Sequence, residues 1–500
     1  MQRTPATGNV PRTRLKGAIV FISAMALLVG VNAARAESLR EALATAYLYN
    51  PTLKAARAQL RATDEEVAQA KSGFRPTITG DLQSSYQDVK SSPPRPTVDG
   101  DSYPRSAGVT LNQPIFRGFR TINAVRGAEA LVEAGREDLR VQEATVLLDA
   151  ITSYVDVVRD QAILSLRQNN LKVLGEQLRA TQERFDVGEV TRTDVAQAKA
   201  RNSGASSDVS AARAALQASR ATYQRIVGRA PGTLRDPGPA KQGLPKNVDE
   251  ALSRGGERSP VILGAIFRER SQDHVVKQTE GELLPSVDLQ ANFTRSFDSS
   301  VGSGDRQDVT TVTGRVSVPI YEAGEVSARI RQNVETRSQL RYQIDEAREL
   351  VRANVTSAWG TLVSSRAQIT SDAAQVEANQ VALSGVKEEE KVGQRTVLDV
   401  LNAEQEFLNA QVTLATSRRD LVVASYSVLQ AMGQLSTAVL QLPVEQYDPS
   451  SHYSAVRNKA WGWSASYEGQ EPEPTVAPVT DPGRKPEQKR GDGPAYTVRK

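Results

Sequence analysis

Cysteine is absent from the 500-residue chain, and histidine occurs only at His274 and His452. Zinc sites and thiol chemistry depend on these side chains, so the composition supports neither kind of site. We find no phosphate-binding loop, no dinucleotide fingerprint and no arrangement of a nucleophile with a base. The sequence therefore predicts a protein that is not an enzyme and that needs no cofactor or metal.

Long apolar runs are also missing after the first 36 residues, which leaves a β-barrel as the only way for this chain to span a membrane. Before that point, three basic residues within 12–16 precede an apolar stretch at 18–31, and an A-x-A site ends at Ala36. This pattern predicts a signal peptide over 1–36 and a mature chain that begins at Glu37. The alternative is an uncleaved membrane anchor.

A large excess of charge of one sign is missing as well. The formal net charge is +4, but the predicted signal peptide carries five basic residues and no acidic residue. The mature chain would therefore have a net charge of about −1, which gives no support for nucleic-acid binding. A secreted chain of this size without disulfides has to be held together by extensive packing or by oligomerisation.

The chain contains a two-fold sequence repeat with an offset of about 205 residues. The stretch VGEVTRTDVAQAKA from Val187 recurs as VGQRTVLDVLNAEQ from Val392, and QPIF at 113–116 recurs as VPIY at 318–321. A solenoid repeats every 20–50 residues, so this offset indicates two half-molecules instead. The predicted halves are 37–236 and 237–442.

Each half contains a predicted helix of unusual length. Apolar residues recur every seven positions over 125–146 and, after a four-residue step, over 150–185; the same pattern covers 330–351 and 355–383. Heptad spacing predicts left-handed coiled-coil packing, and the four-residue step is a stutter. A helix of about 67 residues is roughly 100 Å long.

The turns after these helices can be predicted from single residues. Gly188 and Gly393 follow the last periodic positions, where glycine commonly ends a helix. Thr191 or Thr193, and Thr396 in the second half, can cap the next helix. Each half is therefore predicted to form one long helical hairpin with a glycine-to-threonine turn at its tip. The predicted hairpins span 121–228 and 324–433.

Four segments with alternating apolar residues have the length of membrane-spanning strands. They cover 76–89, 106–116, 285–297 and 309–320. The alternative is an antiparallel patch on a soluble domain. Four strands are too few to close a barrel, and open strand edges cannot face lipid, so several subunits would have to share one barrel.

The last segment, 443–500, is rich in proline and charge and is predicted to be disordered. Trp461 and Trp463 are its candidate anchors, unless they are simply exposed aromatic residues.

Several ordered motifs resemble the TolC family of outer-membrane efflux and secretion channels. They are SLREALATAYLYNPTLKAARAQL from Ser38, RFDVGEVTRTDV and KVGQRTVLDVLNAEQ at the two tips, and LPSVDL and VPIYEAG at strand boundaries. The resemblance covers 37–442. It implies an α+β membrane protein in which each protomer of a homotrimer gives four β-strands to a twelve-stranded outer-membrane β-barrel. The long coiled-coil helices would continue as an α-barrel across the periplasm.

The function implied by the resemblance is a passive exit duct in the outer membrane of a Gram-negative bacterium, in contact with outer-membrane lipid. It would conduct drugs or proteins in a tripartite efflux pump or a type I secretion system. Its implied partners are a periplasmic adaptor (membrane fusion) protein and an inner-membrane RND, ABC or MFS transporter. The sequence does not separate efflux from secretion. The alternative function is a periplasmic coiled-coil adaptor or scaffold without a barrel.

The resemblance also implies roles for residues near the tips. Asp399 matches the first of two family aspartates at the entrance constriction, and Asn402 stands where the second would be. Arg395 matches a gate arginine that links to a neighbouring tip at positions matching Thr193 and Asp194. Glu390 replaces a gate tyrosine, so that link is expected to be altered.

Two further predictions concern the same helices. Arg418 matches a family residue near the constriction. Gly188 and Gly393 match tip positions that meet the adaptor, where a missing side chain allows close approach, in addition to their structural role as helix ends.

Overall fold

The structure is a computed structural model that describes residues 36–94, 99–299 and 304–462. The predicted signal peptide therefore lies outside the described residues except for Ala36, and so does Trp463.

The two halves follow one plan: two short helices, strands, and a pair of long helices. The first half contains α1 (Leu39–Tyr49), α2 (Pro51–Ser72), β1 (Thr77–Ser84), β2 (Gln87–Val89), β3 (Gly100–Ser102), β4 (Arg105–Arg117), α3 (Arg120–Asp186) and α4 (Arg192–Val227). The second half contains α5 (Val248–Arg258), α6 (Pro260–Glu280), β5 (Ser286–Phe297), β6 (Arg306–Ser317), α7 (Glu325–Lys391) and α8 (Val397–Ala431). A last helix, α9 (Pro449–Val456), follows.

The long helices α3 and α7 are 67 residues each, as the proline-free heptad pattern predicts. The predicted seam is buried in the middle of the hairpins, where Val157 and Leu362 are fully buried. Towards the tip it opens, and Phe185 is 37% exposed. In the described ranges, no helix combines the length and the hydropathy that crossing a membrane requires.

The four predicted strands form one antiparallel sheet in the order β1-β4-β5-β6. The predicted strand 76–89 is wrong in one respect, because β1 ends at Ser84 and β2 pairs with β3 in a separate two-stranded sheet. The ladder between β1 and β4 stops at Pro104, which has no N–H to donate; its carbonyl accepts from Ser85 N at 2.9 Å. Strands β1 and β6 are exposed on both faces.

The main core lies where α1 and the four long helices meet. Its largest fully buried side chains include Tyr154, Tyr223, Ile151 and Leu362. The hydroxyl of Tyr154 lies 2.7 Å from the backbone carbonyl oxygens of both Glu37 and Arg235 and donates its single proton to one of them. Burial raises the pKa of Tyr154 to about 12, so the phenol stays protonated and keeps this donor. The core therefore fixes where the two hairpins leave the body of the protein.

The start of the predicted disordered tail is folded. Helix α9 packs on α2, and His452 Nδ1 lies 2.9 Å from Asp64 Oδ2 in a buried contact. The proline- and charge-rich composition that predicts disorder comes from residues after 470, whereas 443–462 supplies side chains that complete the surface of α2. Trp461 does not anchor this segment to the protein, because it is 94% exposed.

Candidate functional site

Both long helices end in the same hydrogen-bonded turn. At the first tip, Glu189 N donates to Arg184 O (2.8 Å) and Gly188 N donates to Phe185 O (2.9 Å). This pair of bonds is a Schellman motif, which needs a left-handed residue after the helix. Gly188 supplies it with a φ of +86°, and the second tip repeats both bonds around Gly393 with a φ of +81°. The prediction that these glycines end the helices is confirmed.

The helices that return from the tips begin with identical capping boxes. Asp194 Oδ2 accepts from Thr191 N (2.8 Å) and from its hydroxyl (2.7 Å). Asp399 Oδ2 accepts from Thr396 N (2.9 Å) and from its hydroxyl (2.8 Å). The caps are therefore Thr191 and Thr396, and Thr193 is an exposed residue of the first turn.

The capping bonds act on the charge of both aspartates. The backbone N–H and the hydroxyl of Thr396 lower the pKa of Asp399, and the hydroxyl and N–H of Thr191 lower the pKa of Asp194. A carboxylate that accepts hydrogen bonds is favoured in its charged form. Each tip therefore carries an ionised aspartate at the start of its returning helix.

Two polar links join the tips of the two hairpins. Arg184 Nη1 at the end of α3 donates to Glu390 Oε1 at the end of α7, at 2.5 Å. Arg201 Nη2 on α4 donates to Asn402 Oδ1 on α8, at 2.9 Å. Glu390 and Asn402, the two positions at which the resemblance implies a departure from the family pattern, thus each accept a hydrogen bond from the other hairpin.

An apolar cluster lies beside these links. Val397 and Leu401 from α8 pack against Leu174 of α3 and Ala205 of α4. The sequence reasoning missed this cluster as well as Arg184 and Arg201. Heptad spacing shows which residues are buried in a seam, but it does not show which other helix covers them.

The remaining predicted gate residues lie apart from these links. Arg395 Nε donates to Glu389 Oε2 in its own tip at 2.8 Å, and this contact raises its pKa. Its predicted link to Thr193 and Asp194 would join two subunits, so it stays a prediction. Arg418 is exposed on α8, 19 residues and therefore about 28 Å along the helix from Asp399.

The outer surface of both tips is open within the protomer. A Cβ added to Gly188 or Gly393 would meet no heavy atom within 4 Å. The neighbouring valines are strongly exposed, Val187 by 73% and Val392 by 71%. Each tip thus presents an exposed valine beside a glycine that has open space around it. Across the described ranges, no group of three or more Asp, Glu or His side chains is placed to hold a metal ion.

Comparisons with known proteins agree with this architecture. The family model described as outer membrane efflux protein matches residues 42–229 and 251–434. The chain is 40% identical to the outer membrane efflux protein BepC of Brucella suis, over 90% of this chain and 98% of that protein. It is 26% identical to the outer membrane protein TolC of Escherichia coli, over 80% of this chain and 83% of that protein.

The fold also matches solved structures. The crystal structure of the CmeC outer membrane channel of Campylobacter jejuni covers 84% of this chain, with a TM-score of 0.72 and 16% identity; the match covers 89% of that channel. Together with the family match, this confirms the α+β channel fold and the resemblance to the TolC family. The chain belongs to the outer membrane efflux protein family, and it is an outer-membrane channel of an efflux or type I secretion system.

Proposed function

We propose that three copies of the chain assemble into one duct and share a twelve-stranded barrel. Within the described residues, β1 pairs only with β4 and β6 pairs only with β5, so the four-stranded sheet has two open edges. Such edges cannot stay unpaired in lipid, and four strands are too few for closure. Pairing β1 of one subunit with β6 of the next satisfies both edges in a cyclic assembly.

The far end of the duct is closed by the helical tips in this proposal. The links Arg184–Glu390 and Arg201–Asn402, with the cluster around Leu401, hold the α7–α8 hairpin against the α3–α4 hairpin. Opening requires these contacts to separate while each hairpin stays intact. We therefore assign Glu390 and Asn402 to a latch within the protomer, while Arg395 is expected to reach Thr193 and Asp194 of the neighbouring subunit.

The entrance carries one ring of negative charge. The lowered pKa keeps Asp399 ionised, and both capping bonds end on Oδ2. Three copies of Asp399 around the axis would attract cations and repel anions. Asn402 adds no charge, and its Oδ1 is engaged by Arg201. Arg418 lies too far along α8 to join this ring and is proposed to line the duct above it.

The tips are the proposed docking surface for a periplasmic adaptor. Support comes from the open space around Gly188 and Gly393 and from the exposed valine next to each. The adaptor in turn would connect the duct to an inner-membrane RND, ABC or MFS transporter, which supplies the energy. No nucleotide-binding motif is present in the sequence, which agrees with an energy source outside the chain.

The proposed cargo is small molecules, so the chain would serve an efflux pump. The observation that carries this choice is the 40% identity, across nearly the full length of both chains, to a protein named as an outer membrane efflux protein.

The test is a deletion of the gene in its own bacterium, complemented with the wild type or with Gly393→Arg. We expect the deletion to raise the accumulation of a fluorescent efflux dye, and the wild type to reverse it. Gly393→Arg should fail to reverse it although its trimers reach the outer membrane, because a long side chain blocks close approach at the tip. If the deletion leaves dye accumulation unchanged but abolishes a secreted protein, the channel serves secretion and not efflux. Full dye export by Gly393→Arg would contradict docking of the adaptor at the tips.

A further inference from the structure

The segment 443–462, which we name the C-terminal strap, follows α2 from its first turn to its last. Near the start of α2, the guanidinium of Arg57 lies 5.0 Å from the ring centroid of Tyr447. In the middle, His452 Nδ1 lies 2.9 Å from Asp64 Oδ2. Beyond the end of α2, Arg75 Nη1 donates to the carbonyl of Lys459 at 2.9 Å. The strap therefore runs parallel to α2 and ends beside Arg75.

Buried contacts hold the strap in this position. His452 and Val456 are each 5% exposed, and Asp64 and Val67 on the facing side of α2 are fully buried. The guanidinium of Arg75 also reaches a second carbonyl, that of Asn458, at 3.2 Å. A planar fork that binds two carbonyl oxygens fixes the backbone there more firmly than a single bond would.

This end of the strap lies at the root of the sheet. Arg75 is two residues before Thr77, where β1 begins. Trp461 is two residues after Lys459, so its backbone lies within about 7 Å of that carbonyl. The strap thus places Trp461 at the level where the helices end and the strands begin.

Apolar side chains at this level are strongly exposed. Trp461 is 94% exposed. The residues at the roots of the strands share this exposure: Phe74 (51%), Ile115 (61%), Phe119 (55%), Leu284 (42%), Ile320 (95%) and Tyr321 (86%). Exposed apolar side chains gathered at one level of the fold are typical of contact with a membrane or another protein, and those that follow β6 lie at the proposed subunit edge. In an outer-membrane channel whose helices extend into the periplasm, this level is the inner surface of the membrane.

We propose that the C-terminal strap is a membrane anchor that places Trp461 in the phospholipid headgroup layer on the periplasmic side. Tryptophan favours this layer because its ring is apolar and its N–H can bond to headgroups or water. Arg457 and Lys459 precede it on the strap, and Lys71 at the end of α2 and Arg75 just beyond that helix face the strap. These four cations favour anionic headgroups. The proposal rests on the proposed membrane-spanning sheet and goes beyond the proposed conduit.

The test uses tryptophan fluorescence of the full-length protein in vesicles that contain brominated phosphatidylglycerol in phosphatidylcholine. The chain has three tryptophans, so Trp359→Phe with Trp463→Phe leaves Trp461 as the only emitter. A variant that keeps only Trp359 is the control, because Trp359 lies 34 residues into α7 and so roughly 50 Å from the sheet. Leu82→Trp in a tryptophan-free background reports insertion of the apolar strand face.

We expect brominated lipid to reduce Trp461 emission roughly twofold or more, as for a ring in the headgroup layer, and to leave Trp359 unchanged. Quenching by acrylamide alone would show that Trp461 faces water and would overturn the proposal. Protection from both quenchers would place the ring against another protein surface and would overturn it too. In either case, quenching of Leu82→Trp by brominated lipid would show that the channel is inserted in the membrane, so the proposed duct would not be contradicted.

A second pair of variants tests the strap itself. In the Trp461-only background, Arg75→Ala removes the fork and Arg75→Lys keeps the charge but cannot bind two carbonyls in the same way. We expect both to reduce the lipid quenching of Trp461 towards the level of Trp359. Unchanged quenching in both would contradict the claim that the strap sets the position of the ring. Quenching retained by Arg75→Lys alone would mean that charge, and not the fork, holds the strap end.

Discussion

The two longest helices have the same length and very different surroundings. Helices α3 and α7 are 67 residues each, but 21 residues of α3 are buried and only 8 of α7. The reason is that α3 is covered by α2, α4, α6 and α8, whereas α7 contacts mainly α8, α6 and α5. Apolar residues of α7 such as Leu350, Val363 and Val381 are 49–67% exposed. The comparison indicates that the apolar surface of α3 is covered by other helices of the same chain, whereas part of the apolar surface of α7 is left for another molecule to cover.

The strongest test of this difference places a charge on each helix. Ile151→Asp puts a carboxylate into the core, where it has no partner, and we expect a loss of about 4 kcal/mol or more and no folded protein. Val363→Asp changes an exposed site, so the protomer should keep its helix content while trimers are lost. Circular dichroism and mass determination in detergent distinguish these results. A Val363→Asp trimer as heat-stable as the wild type would place this face away from the subunit interface.

The glycines that end the two hairpins allow a second comparison. Both Gly228 and Gly433 have a positive φ, so alanine costs about 1–2 kcal/mol at either site. At Gly433 a Cβ would also lie 2.3 Å from Pro260 Cδ, whereas at Gly228 the nearest atom is Tyr49 Cβ at 3.5 Å. Crowding adds roughly 1–3 kcal/mol to Gly433→Ala. Denaturant midpoints at one protein concentration measure the two losses, and equal losses would contradict the crowding argument.

At the tips, the two hairpins contact each other through the latch. Glu390→Ala removes the ion pair with Arg184, and we expect a higher single-channel conductance because the closed tip is held less firmly. Glu388→Ala is the matched control, since among the described residues Glu388 pairs with Lys391 of its own helix, at 2.7 Å. The loss in stability should stay near 1 kcal/mol or below, as for other partly exposed pairs. Equal conductance in both variants would exclude Glu390 from the latch.

The smallest predicted effect separates the two aspartates that cap the returning helices. Asp399→Ala and Asp194→Ala remove the same capping box, so they should destabilise equally. Asp399→Ala should lower the cation preference in single-channel recordings more than Asp194→Ala, because Asp194 is expected to pair with Arg395 of the neighbouring subunit. The lowered pKa of Asp399 implies that this preference is present at neutral pH and is lost as the pH falls through that pKa and the carboxylate is protonated. Unchanged selectivity in Asp399→Ala would contradict the ring.

Local features were predictable to within a few residues. The heptads and the lack of proline predicted α3, which begins one residue before Thr121 and ends at Asp186. Single glycines and threonines predicted the turns at Gly188 and Thr396. The strand 76–89 was too long, because its end depends on where Pro104 interrupts the partner strand. The folded start of the tail was missed, because a segment of 20 residues has no periodic pattern that shows a binding surface on α2.

The candidate site was predictable only in part for the same reason. Asp399 and the two glycines could be placed at the tips from motif position alone. Arg184, Arg201 and Leu401 could not, since their roles depend on which helices lie side by side. Glu390 was expected to alter a link, and the structure provides a different partner for it, Arg184 of the other hairpin.

The sequence by itself determined the elements of this protein: two hairpins about 100 Å long, their capped turns and four strands. These follow from bonds and burial between residues close in the chain, which spacing alone encodes. The tertiary structure decided which surfaces meet: the latch between the tips, the strap along α2 and the exposed face of α7. Such contacts join residues up to 400 positions apart, as from Tyr47 to Tyr447. Their partners depend on three-dimensional packing, which no local pattern specifies.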